Sequence, residues 1–188
     1  NNITQITNLD KCTQLKKLDL SNNKITCMEN LEALKELIVL DLMNNKLEII
    51  EKLDNNEKLE ELGLSYNRIN KITGIAHLKG LKRIYIGHNK LSDIKELEQL
   101  PDLRRIVLSD NNIQSLKPLI PQMRKGLKVS LNYSFDEKEE GIFIKDNRSI
   151  SEPSIEVIQS GTEAVLKYFG AAKTYGTKKL EILKLILV

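Results

Sequence analysis

The pattern L-x-x-[LI]-x-[LI]-x-x-N-x-[IL] occurs five times in this chain, each start 22 residues after the last. The copies are LKKLDLSNNKI from Leu15, LIVLDLMNNKL from Leu37, LEELGLSYNRI from Leu59, LKRIYIGHNKL from Leu81 and LRRIVLSDNNI from Leu103. Within each copy the apolar residues alternate, so that Leu18 and Leu20 point to one side of a short strand and Asp19 to the other. Between copies the apolar residues recur every third position, as in Ile25, Met28, Leu31, Leu34 and Leu37. A period of three belongs to 3₁₀ or short helical turns. A unit of one strand and one turn-bearing return cannot bury its apolar side alone, so the units must stack on one another.

The asparagines Asn23, Asn45, Asn67, Asn89 and Asn111 fall where the chain leaves each strand. A buried amide there can satisfy backbone groups of adjacent coils, so these are scaffold residues. Only 4% of the chain is aromatic and it has no Trp, so the core is built from Leu and Ile. The wall weakens where Cys12 and Asn56 replace the expected leucine. The opening Asn1-Asn2-Ile3 places Asn1 at the repeat asparagine, which leads us to expect further repeats before it.

These motifs resemble the leucine-rich repeat, in the short 22-residue class found in the protein phosphatase regulatory subunit and in internalins. The resemblance covers residues 1 to about 120 and implies an α/β solenoid with a curved parallel sheet and a 3₁₀ or short-helix convex side. Residues 121–150 are expected to form a degenerate closing coil. Val129 and Leu131 would make one inward pair, and Ile142 and Ile144 the next, ahead of Asn147 at the repeat asparagine offset. The acidic DEKEEG between them is read as a solvated loop. From Ser151 the pattern becomes helical: Ser151 or Ser154 caps, and Ile155, Ile158, Val165 and Phe169 share a face of one helix that Gly170 ends. A terminal strand, KLEILKLILV, follows.

This closing region resembles the junction between the repeats and the Roc GTPase in Roco-family proteins. Asn147, Pro153, Ile158, Gly161, Ala164, Val165, Tyr168 and Phe169 match that junction, while Arg148 and Ser154 stand where the family has proline. The resemblance implies that residues 151–188 are a helical linker and the first strand of a truncated Roc-like domain. It also implies that the repeats bind a protein partner or the protein's own Roc-COR region. A free-standing adaptor of the phosphatase-regulatory kind and a surface adhesin of internalin type are the alternatives.

Twenty-nine basic and 26 acidic residues, interspersed, leave a net charge of +3, a solvated surface that does not point to nucleic acid. The two cysteines form neither a disulfide framework nor a zinc pattern, and no apolar run approaches a membrane span. A reduced, cytoplasmic protein without membrane contact is expected, with association possible through the terminal strand. Nothing in the sequence implies a cofactor. GAAKTYGTKK contains Gly170, Gly176, Thr177 and Lys178, but its order is not that of a phosphate loop. His77 and His88 have no nucleophile placed beside them, so no catalytic residue is assigned.

Function is therefore expected on the concave face, where stacked strands expose residues in columns. One column reads Lys17, Val39, Glu61, Arg83, Arg105; the next reads Asp19, Asp41, Gly63, Tyr85, Val107; Met43, Tyr66, His88 and Asp110 lie beyond. Tyr66, Arg83, Tyr85, His88, Arg105 and Asp110 fall together on adjacent coils and are the candidate partner-binding residues, because Tyr and Arg dominate interaction hot spots.

Overall fold

The computed structural model describes residues 1–133, 136 and 138–175. Five three-residue strands, β1 (Lys17–Asp19), β2 (Val39–Asp41), β3 (Glu61–Gly63), β4 (Arg83–Tyr85) and β5 (Arg105–Val107), pair in parallel at the 22-residue register. Leu40, Leu62, Ile84 and Ile106 stack directly over one another and are completely buried, as are Leu42, Leu64, Ile86 and Leu108 one step along. The residues at every third position, among them Leu31, Leu34, Ile75 and Leu78, close the core from the turn-bearing side, where the expected 3₁₀ geometry is regular at Lys95–Gln99.

The asparagine ladder is continuous. Each Oδ1 accepts a backbone N–H of the preceding coil, from Ile25 to Asn45 (2.9 Å), Leu47 to Asn67 (2.9 Å), Ile69 to Asn89 (2.8 Å) and Leu91 to Asn111 (2.9 Å). Each Nδ2 in turn donates to carbonyls of its own coil and of the one before, as Asn89 does to Ile86 (3.1 Å) and Leu64 (3.0 Å). Asn147 adds a rung, accepting from Ile113 and donating to Leu108 and Ile144.

On the turn-bearing side Asn56 is fully buried, and its Nδ2 donates to the Leu31 and Leu34 carbonyls at 3.1 and 2.9 Å. Gln122, three repeats later, makes the equivalent bonds to Leu97 and Leu100, so the repeat phase persists past Leu119 on this side. The weakness expected at Asn56 is thus partly offset by hydrogen bonds. Its Oδ1, however, is buried without a protein partner, while both carbonyls also accept a backbone N–H. Asn56→Leu restores the leucine of the neighbouring coils and removes the orphaned acceptor. It is expected to raise the unfolding free energy by about 1 kcal/mol, read as a higher urea midpoint at constant slope.

The sixth coil departs from the expected order. After a 3₁₀ turn at Lys117–Leu119 and the short helix α1 (Ile120–Arg124), strand β6 (Val129–Ser130) goes to the outer edge. Strand β7 (Gly141–Phe143) then inserts between β6 and β5, giving the sheet order β1-β2-β3-β4-β5-β7-β6, all parallel. Ile142 and Ile144 take the place next to β5, and Val129 and Leu131 pack partly buried against the same core one strand farther out. Gly141 permits the insertion: a Cβ there would come within 3.2 Å of the Lys128 carbonyl and 3.3 Å of the Phe143 ring.

The expected single helix is two. α2 (Ile155–Gln159) and α3 (Thr162–Tyr175) are separated at Gly161, whose φ of +95° only glycine adopts readily. Gly170 lies inside α3 and does not end it. Ser154 occupies the N-cap position of α2 without a side-chain capping bond. Ile158, Val165 and Phe169 join the same apolar core as the repeats, and the Thr162 hydroxyl accepts the Val129 N–H at 2.9 Å. These helices therefore close the C-terminal end of the solenoid. The strand expected within 179–188, and the stretch Gly176–Lys178, lie outside the described residues.

Candidate functional site: the rim of the parallel sheet

The residue just before each ladder asparagine adopts a left-handed backbone, with φ of 58° at Asn22, 54° at Asn44, 59° at Tyr66, 54° at His88, 54° at Asp110 and 59° at Asp146. This is a consequence of the repeat: the chain must turn sharply so that the asparagine side chain enters the coil. The residues before it are splayed outward as a column along the rim. Asn, Asp and His are the side chains that tolerate this conformation best; a bulky residue such as Tyr66 held there is strained.

Tyr66 and His88 occupy that column and stack on each other, with ring centroids 4.0 Å apart and planes inclined by 11°. His88 Nδ1 lies 2.8 Å from Asp110 Oδ2, and the Tyr133 ring lies 6.2 Å from His88 at 15°. Tyr133 donates its hydroxyl to Asp146 Oδ2 at 2.9 Å, a bond that raises its phenol pKa, and carries the Lys145 ammonium 4.3 Å above its ring. Half of the Tyr66 surface remains open to solvent. Farther along the rim the Asn44 amide donates to Asn22 at 2.9 Å.

The other candidates form a second group on the strands. Arg83 pairs with Glu61 at 3.2 Å. Arg105 is only 3% exposed: its guanidinium lies 5.7 Å from the Tyr85 ring centroid and 4.7 Å from that of Phe143, and donates to the Glu139 carbonyl. It is structural cement between coils rather than an open contact residue. Glu140 lies 3.7 Å from Arg104, and Lys82 pairs with Glu60 at 2.7 Å. The acidic stretch is exposed at Glu139 and Glu140, as expected, and it also meets Arg105 through the Glu139 carbonyl and Arg104 through the Glu140 carboxylate.

Nearer the first coils, burial pushes the Asp41 carboxyl pKa up, and the Asp19 charge adds to the effect. Asp41 leans over Gly63, where a Cβ would lie 2.7 Å from its Oδ1. Asp19 is shifted the other way by hydrogen bonds from Ser21.

The six candidates therefore divide into a rim trio, Tyr66, His88 and Asp110, and a strand trio, Arg83, Tyr85 and Arg105. Asp146 was findable, because it precedes Asn147 as Asp110 precedes Asn111. Tyr133 and Lys145 carried no signal, being placed by the inserted β6 and β7. Away from the rim, Ile120, Pro121, Tyr168 and Phe169 line a groove of about 500 Å³ between α1 and α3. Among the described residues no group of His, Cys, Asp and Glu could hold a metal ion, and no helix is long and apolar enough to cross a membrane.

Comparison with known proteins agrees with this architecture. No curated protein matches the chain significantly. Internalin C2 of Listeria monocytogenes superposes with a TM-score of 0.57 at 34% identity, covering 59% of this chain and 49% of that one. A leucine-rich repeat protein of Leptospira interrogans gives 0.61 at 28% identity, covering 64% and 32%. The functional domain of InlJ of Listeria monocytogenes gives 0.63 at 21% identity, covering 81% and 30%, and shares the fold. That domain includes a cysteine ladder; here the positions stacked after Cys27 hold Ile49, Lys71 and Asp93. The chain spans half or less of the length of each of these structures. Residues 57–113 match the family model described as leucine rich repeat and residues 13–55 that of leucine rich repeats in two copies, more than half the chain between them. With the register, the asparagine ladder and these matches in agreement, the chain belongs to the leucine-rich repeat family.

Proposed function

We propose that this chain is a protein-recognition module that binds through the rim carrying Tyr66 and His88, with no catalysis of its own. The observation that carries the reading is the strain in that column. Coils one and two place asparagine in the left-handed conformation and coil four a histidine, which tolerates it; coil three holds the bulky Tyr66 there, stacked on His88 and half exposed. Strained residues retained on an exposed surface mark function rather than stability. Tyrosine in addition offers large contact area at low entropy cost.

The module belongs to a Roco-type multidomain GTPase, binding a protein partner or the Roc-COR region of its own protein in the cytoplasm. The matching junction residues support this: Asn147 forms the last rung, Gly161 makes the turn between α2 and α3, and Ile158, Val165 and Phe169 seat the helices on the core. On this reading residues 1–120 are the repeats, 121–150 the closing coil and 151–188 the connection to the GTPase. The identity with internalin C2 favours a second reading, an exported adhesin of internalin type. The coding sequence after Val188 separates them: G-x-x-x-x-G-K-[ST] within a few codons supports the first, and a further repeat or a stop codon removes it.

The rim itself is tested by Tyr66→Asn combined with His88→Asn. Because asparagine fits the backbone better, the variant should melt at the wild-type temperature or a few degrees above. Its affinity for the polypeptide encoded after Val188, supplied in trans and measured by calorimetry, should fall at least about tenfold. Unchanged affinity in the folded variant would remove the rim from the account.

A further inference from the structure

Two residues beyond each rim position, on the far side of the inward asparagine, stand Lys24, Lys46, Arg68 and Lys90, one per coil and all exposed. Neighbouring coils in such a sheet are about 4.8 Å apart, so four cations form a straight row about 14 Å long. None of them makes an ion pair among the described residues. The bases of the strand edge are the reverse case, since Lys58, Lys82, Arg83 and Arg104 each face a glutamate of an adjacent coil.

The row is also flanked by apolar surface. Only four large apolar or aromatic side chains are exposed among the described residues, and two of them, Tyr66 at 51% and Ile49 at 44%, lie on either side of Lys46 and Arg68. Thr26, Lys46, Glu48, Ile49, Glu51 and Arg68 line a shallow depression of about 390 Å³ there. Glu48 and Glu51 are its acidic members, on the Ile49 side; Cys27 Sγ donates to Glu51 at 3.2 Å.

We infer that the partner is an acidic, extended protein segment lying across the coils, its carboxylates on the Lys24–Lys46–Arg68–Lys90 row and its apolar side chains against Tyr66 and Ile49. Stacked like charges repel one another, and a ligand of opposite sign relieves this while the two apolar residues supply the desolvated contacts that fix register. Apolar flanks suit a polypeptide better than a nucleic acid strand, which would call for further cations or a run of stacking rings. The inference rests on the rim being an interaction surface and adds the chemistry of what it binds.

A fluorescein-labelled peptide of sequence EELEELEE, titrated by anisotropy against the folded 188-residue protein at low salt, provides the test. Saturable binding is expected, weakening as salt rises. Lys46→Glu with Arg68→Glu should reduce affinity at least about tenfold, whereas Lys82→Glu with Arg83→Glu, bases that already have partners, should change it less than about twofold. Absence of binding, equal loss from the two pairs, or tighter binding of an oligothymidylate of equal charge would each overturn the inference. If the peptide fails while Tyr66→Asn with His88→Asn still weakens the natural partner, the rim stands and only the acidic partner is wrong.

Discussion

Asn111→Ala is expected to lower the unfolding free energy by about 3 kcal/mol. Asn111 is 5% exposed, accepts the Leu91 N–H at 2.9 Å and donates to the Ile86 and Leu108 carbonyls at 3.0 Å each. The two carbonyls are not left bare by the substitution, because Ile86 also accepts from Asn89 and Leu108 from Asn147. The Leu91 N–H has no such reserve. Most of the cost is therefore one buried donor without a partner, with the loss of two bonds and some packing added. Urea denaturation followed by circular dichroism measures it, and a loss under about 1 kcal/mol would mean that water replaces the amide in the coil.

Ile106→Ala is expected to cost about 3–4 kcal/mol, in the range for emptying a fully buried aliphatic position. Its side chain lies between Ile84 and Ile142, at the junction where the regular repeats meet β7. Because each coil of a solenoid contacts only its neighbours, the damage should be local. Hydrogen exchange should accelerate in β5, β7 and the α2–α3 pair well before it does in β1 to β3. Uniform acceleration along the chain would show a single cooperative unit instead.

The repeats were legible because the pattern is redundant: five copies constrain the same strand, the same turn and the same asparagine. The register follows from the spacing alone, and even the last rung at Asn147 could be placed by its motif. Legibility failed where one local signal had to decide. Alternation marks both Val129 and Ile142 as strand residues but is silent on which lies next to β5; the structure pairs Ile142 with Ile106, with Gly141 in close approach to the Lys128 carbonyl. Gly161 and Gly170 look alike in a helical pattern, and what separates them is the backbone turn that seats Val165 and Phe169 on the core. Arg105 sits in an outward-facing column yet is buried, because the loop before β7 brings the Glu139 carbonyl to it and β7 itself brings the Phe143 ring. Asn56 reads as a defect in sequence because its bonds go to Leu31 and Leu34, one coil back.

The same limit applies to the rim. Tyr66, His88 and Asp110 share a column that the repeat defines, so they could be grouped in advance. Tyr133 reaches the stack from outside the repeat. The meaning of the column came from its backbone: the left-handed turn suits asparagine, aspartate and histidine, which turns Tyr66 from an ordinary surface residue into a costly one.

The partner surface we propose is the rim and its row of cations, not the turn-bearing side. Lysine acylation footprinting of the protein in native cell extract, compared with the purified 188-residue chain, tests it most directly. Modification of Lys24, Lys46 and Lys90 is expected to fall several-fold in the extract while that of Lys35 and Lys79, exposed on the turn-bearing side, stays unchanged. Protection of Lys35 and Lys79 with the three rim lysines fully reactive would contradict it.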